Sequence, residues 1–412
     1  MTSKTPKAAP SFVEFVIIIS LMMSLTALSI DAMLPALPQI GRDLNTQNTN
    51  DRQLIVSVLF LGLAVGQLFF GPLSDRTGRK PAIYTGYILY SVGALLSVFS
   101  INFSMMLAGR LLQGIGISAP RAVTLALVRD QYKGRAMARV MSFVMTVFIL
   151  VPMIAPTLGQ AILLFSGWRS IFVSFVLMAL VTLTWFALRM PETLAPEDRA
   201  PFSLQRIIVA TREIVKNRTT MGYTISAGLV GGAFLGYLNS TQQIFQEQYG
   251  LGARFPLIFA IISLSLGLAS FLNARLVLRF GMRFLVRWSL IIIVGLSTVS
   301  FGVALLTVGQ PPLWFLMAYL MLTFFCVGIV FGNQNALAME PLGHLAGIGA
   351  AVVGSLSTLI QMPLGTAIGQ FYNGTILPLV IGIGILAGIS IFVVNWVESD
   401  SHGFVKLSGT RS

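Results

Sequence analysis

The chain has 412 residues, of which 55% are hydrophobic and 10% charged; 27 lysines and arginines against 14 acids give a formal net charge of +13. This composition excludes an ordinary soluble domain, and in so apolar a chain the basic excess belongs to loops that set membrane topology, not to a nucleic-acid surface. The single Cys326 excludes an internal disulfide and a cysteine metal cluster, and His344 and His402 both lie near predicted helix ends, where they form neither a metal site nor a triad.

A membrane-spanning helix needs about 20 mostly apolar residues. By that rule the first span lies near 13–35, too long a run for the apolar core of a signal peptide. Spans then follow near 53–74, 81–101, 104–128, 137–162 and 168–188, and after a polar stretch near 222–246, 254–279, 283–307, 311–337, 345–371 and 375–397. The predicted organisation is a cytoplasmic N-terminus at 1–12, a six-helix bundle at 13–188, a cytoplasmic linker at 189–220, a second six-helix bundle at 221–397 and a cytoplasmic tail at 398–412. The later half of the linker, Leu204–Val215, reads as an amphipathic helix on the membrane surface. With both termini cytoplasmic, 21 of the 27 lysines and arginines fall on the cytoplasmic side, as the positive-inside rule requires.

The two halves share a repeat. Gly71-Pro72-Leu73-Ser74-Asp75-Arg76-Thr77-Gly78-Arg79-Lys80 follows the second span, and Ala274-Arg275-Leu276-Val277-Leu278-Arg279-Phe280-Gly281-Met282-Arg283 follows the eighth. Leu73/Leu276, Arg76/Arg279, Gly78/Gly281 and Lys80/Arg283 match at one offset. Two pseudo-symmetric six-helix halves with a repeated loop predict a transporter with its site between repeats.

Ionisable residues inside apolar spans are costly and therefore mark function. Three stand out: Asp31 in the first span, and Arg110 and Arg121 in the fourth. Asp31 is expected about five residues from the outer end of its span and Arg110 about six from the outer end of its own, at depths that allow an ion pair. That pair either takes part in transport or only joins two helices. Arg110, Gln113 and Arg121 fall on roughly one helical face, and Arg121 either faces the cavity or snorkels to the headgroups. The second half offers uncharged groups instead: Tyr237, Asn239, Gln242, Gln243, Phe245, Asn333, Asn335 and Gln361. These either meet a ligand or join helices by hydrogen bonds, and Gly62-x-x-x-Gly66 and Gly365-x-x-x-Gly369 mark close helix packing.

Gly71, Asp75, Arg76, Gly78, Arg79 and Lys80 together resemble the loop signature of the major facilitator superfamily. That resemblance implies a gate in which Asp75 latches one conformation, with span 11 as its partner. Asp31-x-x-Leu34-Pro35-Ala36-Leu37-Pro38 and Arg110-Leu111-Leu112-Gln113-Gly114-Ile115-Gly116 are similar to the first- and fourth-helix signatures of the Bcr/CflA-type drug-resistance transporters, which include chloramphenicol and florfenicol exporters. Pro152, Pro156 and Gly159 resemble the antiporter motif of span 5, although Gln160 stands where a second glycine is usual, which weakens the expectation of close packing there.

The expected function is therefore a proton-coupled antiporter that exports small amphiphilic compounds from the bacterial cytoplasmic membrane as a monomer. Asp31 would carry the proton and pair with Arg110. The binding residues would be Asp31, Arg110, Gln113, Arg121, Tyr237, Asn239, Gln243, Asn333 and Gln361, with no cofactor beyond the proton gradient. An exporter dedicated to one metabolite or siderophore is the alternative. A non-transporting receptor and a membrane enzyme are disfavoured, since the chain has no sizeable soluble domain and no cluster of catalytic side chains.

Overall fold

A computed structural model of the chain describes residues 10–199 and 204–408, which are all-helical or loop. Lys4, Lys7 and Arg411 and the side chains of Arg206, His344, His402 and Lys406 lie outside the described residues. Among the described residues twelve helical segments are long and apolar enough to cross a membrane, as the spacing predicts. The chain contacts sort into two units, Met1–Asn45 with Gly62–Ser203, and Thr46–Leu61 with Leu204–Ser412.

The first unit contains α1 (Phe12–Asp31), α2 (Leu37–Asp43), the greater part of α3 (Leu54–Thr77), α4 (Arg79–Val98), α5 (Phe103–Gln131), α6 (Gly134–Ser166) and α7 (Arg169–Arg189). Helix α1 stops at Asp31 for a local reason: Pro35, four residues on, has no N–H to offer the Asp31 carbonyl. The chain passes through a short 3₁₀ turn, Leu34–Ala36, into α2, so the first span runs on to Asp43. Asp31 therefore sits at an interior break and not near the outer end, which corrects the expected depth.

Small residues set the helix crossings of this unit. A Cβ on Gly93 would lie 2.6 Å from the Gly109 carbonyl oxygen, and one on Gly109 would lie 2.7 Å from that of Gly93. This reciprocal fit brings α4 and α5 into backbone contact. Gly66 brings α3 equally close to α5, its Cβ position 2.7 Å from the Ile115 carbonyl oxygen. On α6, a Cβ at Gly159 would overlap the Ala32 carbonyl. The close packing that Gln160 had put in doubt is present, because Gly159 alone provides it.

The second unit contains α8 (Leu204–Lys216), α9 (Arg218–Gln242), α10 (Phe255–Phe280), α11 (Met282–Leu306), α12 (Leu313–Met339), α13 (Ala346–Gln370) and α14 (Leu377–Ser408). Helix α8 is the predicted amphipathic linker helix: Ala210 and Ile214 are buried while Ile208, Val209 and Val215 are exposed. The start of α3 and the 3₁₀ turn before it (Thr49–Gln53) group with this unit, whereas the predicted boundary kept the whole second span in the first half. Hydrogen bonds give the reason. Asn50 Nδ2 donates to the carbonyls of Gln370 and Tyr372 at 2.9 Å each, and Asn239 Nδ2 donates to Ser57 Oγ at 3.0 Å.

Candidate functional site

The break at Asp31 organises the polar interior of the first unit. Asp31 is buried, and its Oδ1 has no hydrogen-bond partner among the described residues. Its expected partner is engaged elsewhere. Arg110, fully buried, donates through Nη2 to the Ser29 carbonyl at 2.7 Å and through Nη1 to Gln113 Oε1 at 2.6 Å, with its guanidinium 5.8 Å from the centroid of the Phe172 ring. Asp31 makes no hydrogen bond or ion pair with Arg110, which corrects the predicted pair. The carbonyls of the last turn of α1 explain this. They lack successors in the helix and form its negative end, so a guanidinium reaching across from α5 binds there instead of at the side chain.

The same turn holds Tyr90 of α4. Ser29 Oγ donates to the Leu25 carbonyl at 2.6 Å, which uses its only proton, so the 2.6 Å contact with Tyr90 has the phenol as donor. Tyr87, one turn before Tyr90, is buried with its hydroxyl unpartnered. Neither tyrosine is marked by the sequence, where both read as ordinary aromatic residues of a span. Arg121, on the same helix as Arg110, is exposed and makes no hydrogen bond or ion pair among the described residues.

The signature loop closes on itself. Gly78, at φ 102°, joins α3 to α4 in a conformation that L-residues disfavour. Asp75 pairs with Arg79 at 2.5 Å, one turn away within the motif. Arg79 also meets Asp130 at 3.0 Å and donates to Ser74 Oγ at 3.0 Å. Glu192, just past α7, supplies the missing cap of α4. Its oxygens accept from the backbone N–H groups of Arg79, Lys80, Thr193 and Leu194 at 2.8–3.1 Å. Anionic charge at a helix N-terminus is favourable for the same reason that phosphate is. Lys80 Nζ donates to the carbonyls of Ala187 and Met190, fixing the end of α7. Glu192 escapes sequence reasoning because it lies far from the motif in the chain.

In the second unit several predicted binding residues spend their polar groups on neighbours. Asn239 donates to Ser57 and also to the Gly365 carbonyl at 3.1 Å. Gln243 donates to Asn50 Oδ1 at 2.8 Å and accepts from Gln53. Beside them Arg52 pairs with Glu247 at 2.6 Å, a pair the sequence does not mark. Burial and the Glu247 carboxylate push the neighbouring Tyr372 phenol up to about 12. Asn333 donates to Asn273 at 2.9 Å, joining α12 to α10, and Asn335 is exposed. Gln361 lies against Gly231, where a Cβ would approach its Oε1 to 2.6 Å. Tyr237 is buried in an aromatic group, with ring centroids 4.5 Å from Phe324 and 6.0 Å from Phe259. Gln334, missed in the sequence, donates to Ser226, which in turn meets Ser390.

No group of three or more His, Cys, Asp or Glu side chains able to hold a metal ion occurs among the described residues. What the arrangement provides is one buried, incompletely bonded carboxylate at a helix break and a guanidinium held close by in the chain fold.

The profile of the Major Facilitator Superfamily matches residues 19–365. An uncharacterized MFS-type transporter of Bacillus subtilis is 31% identical over 355 residues, 85% of this chain and 87% of the relative. A bicyclomycin resistance protein homolog of Haemophilus influenzae is 27% identical, covering 93% and 96%, and a chloramphenicol resistance protein of Pseudomonas aeruginosa is 27% identical, covering 89% and 88%. Among solved structures, the xylose transporter of E. coli superposes with a TM-score of 0.71 at 14% identity, over 93% of this chain and 97% of that one. A human organic anion transporter superposes with a TM-score of 0.68 at 18% identity, over 93% and 100%.

Proposed function

Because the chain belongs to the Major Facilitator Superfamily and is a multi-pass membrane transporter, not an enzyme, we propose that it exports small amphiphilic compounds in exchange for protons, with Asp31 as the proton carrier. The observation that carries this reading is the buried Asp31 carboxylate with Oδ1 unpartnered, since an acid so placed has no structural bond that explains it. Protonated, Asp31 is neutral and compatible with its apolar surroundings. Deprotonated, it needs a charge or dipole that a substrate or a rearranged Arg110 supplies. The expected on–off pairing with Arg110 thus becomes a capture of Asp31 by ligand, while Arg110 stays held to the end of α1 by Ser29 and Gln113.

Phenicols and related neutral amphiphiles are the proposed cargo, and the bacterial cytoplasmic membrane the proposed location. The resistance proteins among the relatives support the cargo, as does the aromatic surface around Tyr237, and the twelve spans and bacterial relatives support the location. The signature loop, with Asp75 tied to Arg79, is the proposed gate for alternating access.

The test is substrate-driven proton release from the purified protein in weakly buffered detergent, comparing wild type with Asp31→Asn over a panel of phenicols. Release from the wild type and none from the variant is the expected result. Tight binding without release in either protein would overturn proton–substrate competition at Asp31. Binding and release with an endogenous metabolite but with no phenicol would keep the coupling and replace the cargo.

A further inference from the structure

The basic surface of α11 carries a feature that transport does not use. Between α11 and α14 lies a cavity of about 450 Å³ whose lining includes Arg283, Phe284, Arg287, Trp288, Asn395 and Glu398. A second cavity of about 310 Å³ lies between α11 and α12, lined chiefly by apolar groups that include Trp288, Ile292, Leu296 and Phe325. Trp288, half-exposed, borders both.

The charges of the first cavity are unevenly paired. Arg283 is committed, to Glu340 at 2.8 Å and Glu398 at 3.1 Å, and Glu398 also accepts from the Tyr223 hydroxyl at 2.7 Å. Arg287 is exposed and makes no hydrogen bond or ion pair among the described residues, and the Asn395 amide makes none either. Glu340 and Glu398 are both spent on Arg283, which leaves Arg287 as the guanidinium of the lining without a carboxylate partner among the described residues.

The order of chemistry along α11 supplies the second part of the argument. Phe280, Phe284 and Trp288 form a ladder at helical spacing, with ring centroids 5.6 and 5.9 Å apart and all three rings partly exposed. Aromatic side chains in that state mark the headgroup level of a bilayer. Leu296 lies nine residues beyond Arg287, or roughly 13 Å further along the helix and into the hydrocarbon. Arginine and aromatic rings at one level, followed by an apolar groove, match the headgroup level and the acyl chain of a phospholipid.

We propose that this groove binds an anionic glycerophospholipid, its phosphodiester on Arg287 and Asn395 and one acyl chain passing Trp288 toward Leu296. A zwitterionic lipid would bring its own cation against the unpaired Arg287, and a soluble anion would leave the apolar cavity unfilled. Basic pockets between membrane helices are suited to such headgroups.

Native mass spectrometry of the purified full chain, titrated with phosphatidylglycerol or phosphatidylcholine in neutral detergent, tests this. The wild type is expected to retain phosphatidylglycerol at least about fivefold more tightly, the factor expected of one arginine near an anionic headgroup. Arg287→Gln is expected to abolish that preference while leaving phosphatidylcholine unchanged. Leu296→Trp, which fills the groove below an intact basic cavity, is expected to weaken both lipids. Arg275→Gln, an exposed arginine on α10 outside the cavity, is the control and is expected to change nothing. Equal losses for Arg275→Gln and Arg287→Gln would reduce the effect to diffuse surface charge and overturn the site, as would unchanged phosphatidylglycerol binding in Arg287→Gln.

Discussion

The loops at Gly78 and Gly281 have nearly the same backbone and very different surroundings. Both glycines stand between consecutive helices with positive φ, 102° and 79°. Around Gly78, Asp75, Asp130 and Glu192 draw Arg79 and the start of α4 into one bonded cluster. Around Gly281 a Cβ would meet nothing within 4 Å, Arg279 is exposed over Phe280, and only Arg283 is ion-paired, to Glu340 and Glu398. The interiors differ in the same sense. The first unit buries charge with no ion pair between its members, in Asp31 and Arg110, whereas the second pairs its buried Arg52 with Glu247 and adds neutral pairs such as Asn333 with Asn273 and Gln334 with Ser226. The repeat has kept its steric frame and let its electrostatics diverge.

Substitutions break this comparison in graded steps. The largest effect is expected at Gly159. Leucine there must displace the Ala32 backbone beside Asp31, costing more than about 4 kcal/mol, so that little monodisperse protein survives purification. Next comes Arg79→Gln, which removes the ion-pair partner of Asp75 and Asp130 and is expected to cost about 2–3 kcal/mol of thermal stability in detergent, against less than about 0.5 kcal/mol for Arg279→Gln beside the second-half loop. Equal losses at the two positions would erase the asymmetry. Gly78→Ala and Gly281→Ala both place a Cβ on a positive φ, worth about 1 kcal/mol, but Gly78 adds a collision at 2.6 Å from Glu192 Oε2 and is expected to cost about twice as much in the same melting assay. The smallest effect belongs to the second unit's interior. A double-mutant cycle on Asn273 and Asn333, each changed to leucine, is expected to give a coupling of about 0.6 kcal/mol, the usual size for a hydrogen bond between membrane helices.

Helix number and order were readable because spans follow from composition alone, and the glycine repeats announce crossings that the structure makes at Gly66 and Gly365. The special residues Asp31, Arg110 and Gln113 were readable as costly groups inside hydrocarbon. Their bonding was not. Depth along two helices is one coordinate, and it does not tell whether a guanidinium meets a carboxylate or the backbone carbonyl two residues earlier, which is where Arg110 goes. For the same reason Asn239 and Gln243 read as ligand groups, although Ser57 at the start of α3 and Asn50 and Gln53 in the 3₁₀ turn before it take them up. Partners distant in sequence, such as Glu192 for α4 and Gln334 for Ser226, leave no periodic signal.

The cap on α4 has a consequence for how this chain tolerates change over generations. One carboxylate, that of Glu192, serves the helix start after Gly78 and the turn that leaves α7, and the space that a side chain at 78 would need is the space it occupies. Positions 78 and 192 are therefore epistatic. A residue larger than glycine at 78 becomes less harmful once Glu192 is shortened, and shortening Glu192 is harmful mainly while Gly78 keeps its turn. Two sites more than 100 residues apart thus share one fitness effect, and substitutions there are expected to arise together or not at all.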